Sequence, residues 1–145
     1  ISVKEEIFAM RKLSFALLGL LAVLALNSCG PAAPIEVTVG LSEFSIESSE
    51  TLFKVGQPYI FTVTNNGTVN HSFNIQHPWE DGELVTGHDM SDALVDLMED
   101  KLPPGETVTV EVTFTEAADY GALEMACHVA GHYEGGMTLP ITVEK

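Results

Sequence analysis

Three side chains near the C-terminus have the types and spacing of metal ligands. Cys127, His132 and Met137 follow one another at five-residue steps, and His71 lies 56 residues before the cysteine. A thiolate and two imidazoles in one plane, with a thioether held weakly on the axis, suit an ion that cycles between Cu(II) and Cu(I). Soft sulfur favours Cu(I), while imidazole accepts both oxidation states. The pattern therefore predicts a blue-copper site that carries single electrons.

The elements around these residues can bring them together. Cys127 ends a predicted strand over 122–127, so the loop that follows it can offer three ligands to one ion. His71 shares a face with Phe73 and Ile75 if its segment is a strand, because side chains alternate with a period of two. We therefore expect a sheet to hold His71 against the loop. Three glycines permit the loop to turn tightly: Gly131, Gly135 and Gly136.

Apolar residues alternate with polar ones along most of the chain, which is typical of half-buried strands. The alternation begins at Ile35 and resumes at Phe44 and Ile46 after Gly40. Turn signals at 65–67 and 103–105 separate further apolar runs at 59–64, 107–114, 122–127 and 138–143. Six or more short strands with such punctuation predict an all-β chain folded as an antiparallel Greek-key β-sandwich.

One segment breaks the two-residue period. Between Asp89 and Lys101, Ser91 can cap a short helix, and Leu94, Leu97 and Met98 then share one side of it. We expect this helix to be inserted over one edge of a sheet.

The N-terminus has the pattern of a secretory signal. Basic Arg11 and Lys12 precede a 14-residue apolar run at 13–26, which is shorter than the roughly 20 residues of a spanning helix. Residues 26–29 resemble a bacterial lipobox, which implies that Cys29 is lipidated; the alternative is an ordinary signal with a cysteine near its cleavage point. We predict a signal peptide at 1–29, of which 1–9 are an upstream mis-start, a tether at 30–34 and one domain at 35–145.

Charge limits the choice of partner. The whole chain has a formal charge of −15, and residues 29–145 contain 19 acidic residues, three lysines and no arginine. This excludes nucleic acid as a partner. An acidic field steers basic proteins such as a cationic cytochrome, although the same charge can serve solubility in a salty or acidic medium. With one cysteine lipidated and the other binding metal, no disulfide is expected.

The motif resembles that of the cupredoxins, the family of plastocyanin and azurin. The Cys-x4-His-x4-Met spacing of 127–137 is closest to the auracyanin and rusticyanin types, and His71-Ser72-Phe73 and the Leu102–Thr107 turn are also similar to theirs. The resemblance covers residues 35–145. It implies a cupredoxin-like sandwich that holds one type 1 copper ion, with His71, Cys127 and His132 as equatorial ligands and Met137 as the axial ligand.

Some neighbouring residues depart from that family. Ala126 replaces the aromatic residue that precedes the cysteine in plastocyanin, Ser72 replaces asparagine after the first histidine, and Ala130 stands where proline is common. His128 points away from the ion because it follows Cys127 on a strand. A histidine at that place connects two copper centres in multicopper oxidases, but here only His77 and His88 could complete a second centre, so we expect a solvated or hydrogen-bonded histidine.

These features favour an electron carrier and not an enzyme. We expect a lipid-anchored, extracytoplasmic protein that exchanges electrons with a basic cytochrome or a membrane redox complex through the solvent-facing edge of His132. The alternative is a periplasmic copper chaperone or storage protein, which would favour exposed and exchangeable ligands. A third possible function is that of a subunit of an enzyme such as nitrite reductase. An enzyme of that kind needs a second cupredoxin domain.

Overall fold

The computed structural model describes residues 32–79 and 92–145, which contain nine β-strands. No helix in these two ranges is long and apolar enough to cross a membrane. The strands are β1 (Ile35–Ser42), β2 (Ser45–Ser48), β3 (Leu52–Lys54), β4 (Pro58–Asn65), β5 (Phe73–Gln76), β6 (Val95–Leu97), β7 (Thr107–Thr113), β8 (Ala118–Ala126) and β9 (Thr138–Glu144).

The strands form two sheets, in the orders β2-β1-β4-β7 and β3-β9-β8-β5-β6. The chain crosses between the sheets after β2, β3, β4, β6 and β7, so each sheet is assembled from distant parts of the sequence. This confirms the predicted all-β sandwich. The pairing is mixed rather than purely antiparallel, because β1 runs parallel to β4 and β3 runs parallel to β9. Apolar alternation sets which face of a strand is buried but not its direction, so the parallel pairs could not be read from it.

The core lies between the sheets and is built by the alternation. In β4, Tyr59, Phe61 and Val63 are buried while the residues between them are only partly so. Phe53 of β3 lies in an aromatic cluster, with ring centroids 5.0 Å from Tyr59 and 5.1 Å from Phe114. Burying each such side chain stabilises the fold by about 1.5–3 kcal/mol. This core holds the two sheets rigidly, including the ends of β5 and β8 that carry the site described below.

The predicted inserted helix is wrong. Residues 89–91 lie outside the described residues, and the rest of the segment forms β6 followed by a single 3-10 turn at Glu99–Lys101. Val95 is buried, whereas Leu94 and Met98 are exposed. The helical spacing of Leu94, Leu97 and Met98 was therefore misleading, because pairing with β5 buries the alternate residues of a strand instead.

Phe44 also departs from the predicted alternation. It lies in the turn between β1 and β2 with a positive φ of 60°, and 54% of its surface is exposed. Ile46 is buried as expected. The turn reverses the chain before Ile46, so the two residues do not continue one strand.

The predicted signal peptide at 1–29, including the lipidation site Cys29, lies outside the described residues, as do residues 30 and 31 of the tether. Among the described residues Cys127 is the one free cysteine, and it is buried.

Candidate metal centre

The loop from Cys127 to Met137 connects β8 to β9 and is closed at its base by backbone hydrogen bonds. The N–H of Cys127 donates to the carbonyl oxygen of Met137 at 3.1 Å, and the N–H of Met137 donates to that of His132 at 3.0 Å. The two ends of the loop are therefore held side by side. Because β8 and β9 are paired through to Ala126 and Thr138, the sheet fixes where the loop begins and ends.

Two kinds of glycine shape the loop. Gly131 and Gly136 have φ values of 85° and 88°, in the left-handed region that side chains resist. Gly135 has no positive φ; a Cβ atom at this position would collide with the ring of Phe44. Gly135 is thus required because a side chain would not fit beside Phe44. Gly131 and Gly136 are required because the backbone there has a positive φ.

His71 approaches the loop from the neighbouring strand. It lies two residues before β5 rather than within it, and its N–H donates to the carbonyl oxygen of Leu102 at 3.1 Å. The buried amide of Asn65 organises this region: Nδ2 donates to the carbonyl oxygens of Val69 and Leu102, both at 2.8 Å, and Oδ1 accepts from the N–H of Gly67. Asn65 therefore connects the end of β4 to the segments on both sides of His71.

Three donor atoms meet as the sequence predicted. Nδ1 of His71 lies 3.2 Å from Nδ1 of His132, and Sγ of Cys127 lies 3.7 Å and 3.5 Å from these two nitrogens. His71 and Cys127 are fully buried, and 9% of the surface of His132 is exposed. No other set of three or more histidine, cysteine or acidic residues among the described residues is as close together.

The triangle of donors has the size that a transition-metal ion requires. A point equidistant from the three atoms lies about 2.0 Å from each, which matches metal–imidazole bonds of about 2.0–2.1 Å and is slightly short for a metal–thiolate bond of about 2.3 Å. Nε2 of His71 has no hydrogen-bond partner among the described residues. Both histidines direct the same nitrogen, Nδ1, at the common point. The residues present therefore fit a bound ion.

Met137 is the fourth predicted ligand. Its side chain is fully buried, and its backbone is bonded to both Cys127 and His132. The structure thus places the backbone of Met137 at the base of the loop that carries Cys127 and His132.

Burial favours the neutral form of His71. Desolvation, followed by the proximity of His132, lowers the pKa of His71, and the carboxylate of Glu43 opposes this. A neutral imidazole is the form that binds metal. Hydrogen bonds from the N–H and hydroxyl of Thr68 lower the pKa of Glu43 to about 2, so this carboxylate stays ionised beside the histidine.

Similar solved structures identify the fold. Auracyanin A of Chloroflexus aurantiacus, titled a "blue" copper protein, matches 77% of this chain and 99% of its own with a TM-score of 0.57 and 20% identity. Auracyanin of Roseiflexus castenholzii gives 0.54 at 20% identity, covering 77% and 98% of the two chains. An azurin of Methylomonas sp. strain J gives 0.52 at 13% identity, covering 78% and 100%. The chain has the cupredoxin fold.

Sequence comparison adds a relative of this chain. No protein-family model matches the chain. The copper-resistant cuproprotein CopI of Pseudomonas aeruginosa is 28% identical over 112 residues, which are 75% of this chain and 56% of CopI. The chain thus spans about half the length of this curated relative. The donor set of the chain, two histidines, a cysteine and a methionine, fits one type 1 copper ion.

Ser72 connects the candidate metal centre to the end of β8. Its N–H donates to Sγ of Cys127 at 3.4 Å, and its hydroxyl lies 3.8 Å from the same sulfur. The hydroxyl also accepts a hydrogen bond from the N–H of His128 at 2.7 Å. Both the N–H and the hydroxyl of Ser72 thus lie near the cysteine sulfur, and the main-chain bond is the shorter of the two.

His128 points away from the three donors, as predicted. Its Nε2 is 2.9 Å from Oε1 of Gln76, and its ring stacks on Trp79 with a centroid distance of 3.8 Å. Tyr133 stacks on its ring at 5.1 Å and donates a hydrogen bond to buried Glu124 at 2.6 Å. His128 is a packed, hydrogen-bonded residue, and His77, which bonds the carbonyl oxygen of Ala122, is on an exposed part of the chain. His88 lies outside the described residues.

Sequence reasoning missed the ring that covers His132. Phe44 packs against the imidazole with a centroid distance of 5.3 Å, so the histidine is less exposed than predicted. Exposed Val69 lies on the segment leading to His71. No turn signal in Ser42-Glu43-Phe44-Ser45 marks the turn between β1 and β2, and so the role of Phe44 could not be found from the sequence.

The role of Asn65 was also missed, although the Asn-Asn-Gly turn signal marked its position.

Proposed function

We propose that this cupredoxin is a type 1 copper electron-transfer protein that moves single electrons between redox partners in the cell envelope. The observation that carries the proposal is the buried triangle of Nδ1 of His71, Sγ of Cys127 and Nδ1 of His132. These three residues, together with Met137, would hold a copper ion, which would supply one-electron chemistry by cycling between Cu(II) and Cu(I).

The residues around the site favour fast electron exchange. The donors come from a rigid sheet and from a loop closed by hydrogen bonds, so they keep their positions when the charge of the site changes. Burial excludes water from three of the four side chains. The exposed ring of Phe44 covers His132 and gives an apolar contact surface at this end of the sandwich, through which electrons enter or leave.

Location and anchoring form part of the proposal. Lipidation at Cys29 would tether the domain to the outer face of a membrane and confine it to partners on the same surface. The acidic composition favours basic redox proteins as those partners.

Copper handling is the second candidate, and its support is the name of the CopI relative. A protein that passes copper on needs exchangeable ligands, whereas here His71, Cys127 and Met137 are fully buried. The arrangement therefore favours retention of the ion over transfer.

One pair of experiments separates the two candidates. The copper-loaded soluble domain is titrated electrochemically, and its Cu(I) form is mixed with a Cu(I) chelator in a stopped-flow instrument. An electron carrier gives a reversible one-electron wave and loses copper slowly over many redox cycles. Rapid loss of Cu(I) to the chelator, or an irreversible wave, favours the handling protein.

A further inference from the structure

The far nitrogen of the His71 ring is buried without an acceptor. Nδ1 of His71 is directed at the common point of the three donors, so Nε2 lies on the opposite side of the ring. This nitrogen has no hydrogen-bond partner within residues 32–79 and 92–145. A buried N–H that lacks an acceptor is costly, so a negative charge nearby stabilises the ring in this orientation.

The carboxylate of Glu43 borders the same open space as this nitrogen, above Gly67. A Cβ atom of Gly67 would lie 2.7 Å from Nε2 of His71 and 2.9 Å from Oε1 of Glu43. It would also lie 3.2 Å from Oδ1 of Asn65, which already accepts from the N–H of Gly67. The absence of a side chain at position 67 thus leaves the carboxylate and the imidazole N–H close together.

Two hydrogen bonds hold this carboxylate in place. Oε1 of Glu43 accepts from the N–H of Thr68 at 2.5 Å and from its hydroxyl at 2.8 Å. These bonds lower the pKa of Glu43 to about 2, so the group carries a full negative charge at neutral pH. Since Thr68 lies on the segment that leads to His71, the charge is fixed relative to the ligand.

The turn between β1 and β2 contacts both histidines of the site. Glu43 lies beside His71, and the next residue, Phe44, packs on the ring of His132 with a centroid distance of 5.3 Å. The turn thus places a charge next to one imidazole and an apolar ring next to the other. A substitution of Glu43 can therefore be studied apart from the contact surface that Phe44 provides.

We propose that Glu43 is a positioning residue for His71, whose carboxylate keeps the ring proton on Nε2 and favours Cu(II) over Cu(I) at the site. The proposal rests on the proposed electron-transfer function and adds a residue that sets the reduction potential. With the proton on Nε2, the lone pair of Nδ1 is directed at the ion. A fixed negative charge stabilises the more highly charged oxidation state, so Glu43 lowers the potential.

The first test measures copper affinity and potential. Glu43→Gln keeps an oxygen acceptor for Thr68 and removes the charge. By competition with chelators, we expect the affinity for Cu(II) to fall about tenfold and that for Cu(I) about twofold. The ratio of the two affinities then changes about fivefold, which raises the potential by about 40 mV at about 59 mV per tenfold in a one-electron couple. Voltammetry measures this shift.

Two control variants separate the charge from its position and from its anchoring. Glu111 is exposed and pairs with Ile60, which lies five residues, or about 17 Å, from Asn65 along β4. Glu111→Gln removes the same charge and should change the affinity ratio less than about 1.5-fold. Thr68→Val loses one anchoring bond but keeps the carboxylate, and it should shift the potential less than Glu43→Gln. A shift in either control as large as that in Glu43→Gln, or no shift in Glu43→Gln, would overturn the proposal.

The copper-free protein gives an independent readout of the ring proton. Nitrogen-15 NMR, at a pH where the imidazole is neutral, distinguishes a proton on Nε2 of His71 from one on Nδ1. We expect the proton on Nε2 in the wild type and in Glu111→Gln, and a mixture of both forms in Glu43→Gln. The same distribution in all three proteins would contradict the role of Glu43.

A small uncharged ferrocene reductant distinguishes failure of this proposal from failure of the proposed function. If the copper-loaded wild type does not react with the ferrocene, electron transfer itself is refuted. The Cu(II) affinities and the ring proton of the copper-free protein still decide whether Glu43 positions His71.

Discussion

The N–H of Ser72 donates to the sulfur of Cys127 at 3.4 Å, and the hydroxyl of the same serine accepts from the N–H of His128 at 2.7 Å. One residue thus contacts the thiolate and fixes the peptide that follows it. Hydrogen bonds to a metal-bound thiolate withdraw electron density from it and stabilise the reduced ion. The hydroxyl, at 3.8 Å from the sulfur, contributes the weaker part of this effect.

Replacing Ser72 should therefore change the reduction potential. In Ser72→Ala the weak hydroxyl contact is lost and the N–H of His128 loses its acceptor. We expect the potential to fall by about 20–60 mV, the equivalent of one modest hydrogen bond in a one-electron couple. Voltammetry of the copper-loaded variant measures this shift. Ser72→Thr keeps the hydroxyl and is the control; a potential that is the same in all three proteins would contradict the role of Ser72.

Met137 should set the potential without being required for copper binding. Met137→Gln replaces a soft donor by a harder oxygen, which stabilises Cu(II), so we expect a lower potential. Met137→Leu removes the donor and should raise it. Both variants should still bind one copper ion through the other three residues. An unchanged potential and visible spectrum in Met137→Gln would remove Met137 from the coordination sphere.

Asn65 should stabilise both the fold and the position of His71. Asn65→Leu removes the side-chain donor to the carbonyl oxygen of Val69 and one of the two donors to that of Leu102, which keeps the N–H of His71. We expect a loss of about 2–4 kcal/mol in the free energy of unfolding, measured by denaturant titration, and a weaker affinity for copper. The exposed neighbour of the histidine provides the control, since Asn70→Ala should change neither quantity. Equal effects of the two substitutions would contradict the role of Asn65 in stabilising the fold and in positioning His71.

Glu124 should make the stability depend on pH. Burial raises the pKa of this carboxyl, opposed by the hydrogen bond from Tyr133, so the folded chain holds its proton more tightly than the unfolded chain. The contribution of Glu124 to the free energy of unfolding is fully present below its ordinary pKa of about 4.5. It is lost as the pH rises through the pKa that Glu124 has in the folded chain. Glu124→Gln keeps an acceptor for Tyr133 and removes the buried charge.

Denaturant titrations at several pH values test this linkage. The Glu124→Gln variant should gain stability relative to the wild type as the pH rises above about 4.5, with a plateau at higher pH. Glu116→Gln, at an exposed position, should follow the wild-type curve. A difference between Glu124→Gln and the wild type that does not vary with pH would refute the assignment.

The sequence predicted most of the site because its chemistry is local. Cys127, His132 and Met137 occupy one loop, and their donor types alone indicate copper. His71 is distant in sequence, and it was placed with them by the alternation around Phe73 and by resemblance to cupredoxins. The structure confirms that His71, Cys127 and His132 meet.

The errors arose where tertiary contacts override a local pattern. The spacing of Leu94, Leu97 and Met98 fits a helix, but pairing of Val95 with Ile75 makes that segment a strand. Phe44 looked like a strand residue, and only the space left by Gly135 explains its position over His132. The cleft that is lined by Asn74, Asp96 and His128 could not be predicted either, because these residues meet only after β5, β6 and β8 have paired.

Copper titration of the soluble domain, followed by visible absorption, tests the central claim most directly. We expect the wild-type protein to bind one equivalent of Cu(II) and to develop an intense visible band that arises from the thiolate of Cys127, and we expect Cys127→Ser to remain without this band and to bind copper more weakly. A wild-type protein that stays colourless, or a Cys127→Ser variant with the same colour and affinity, would contradict the account.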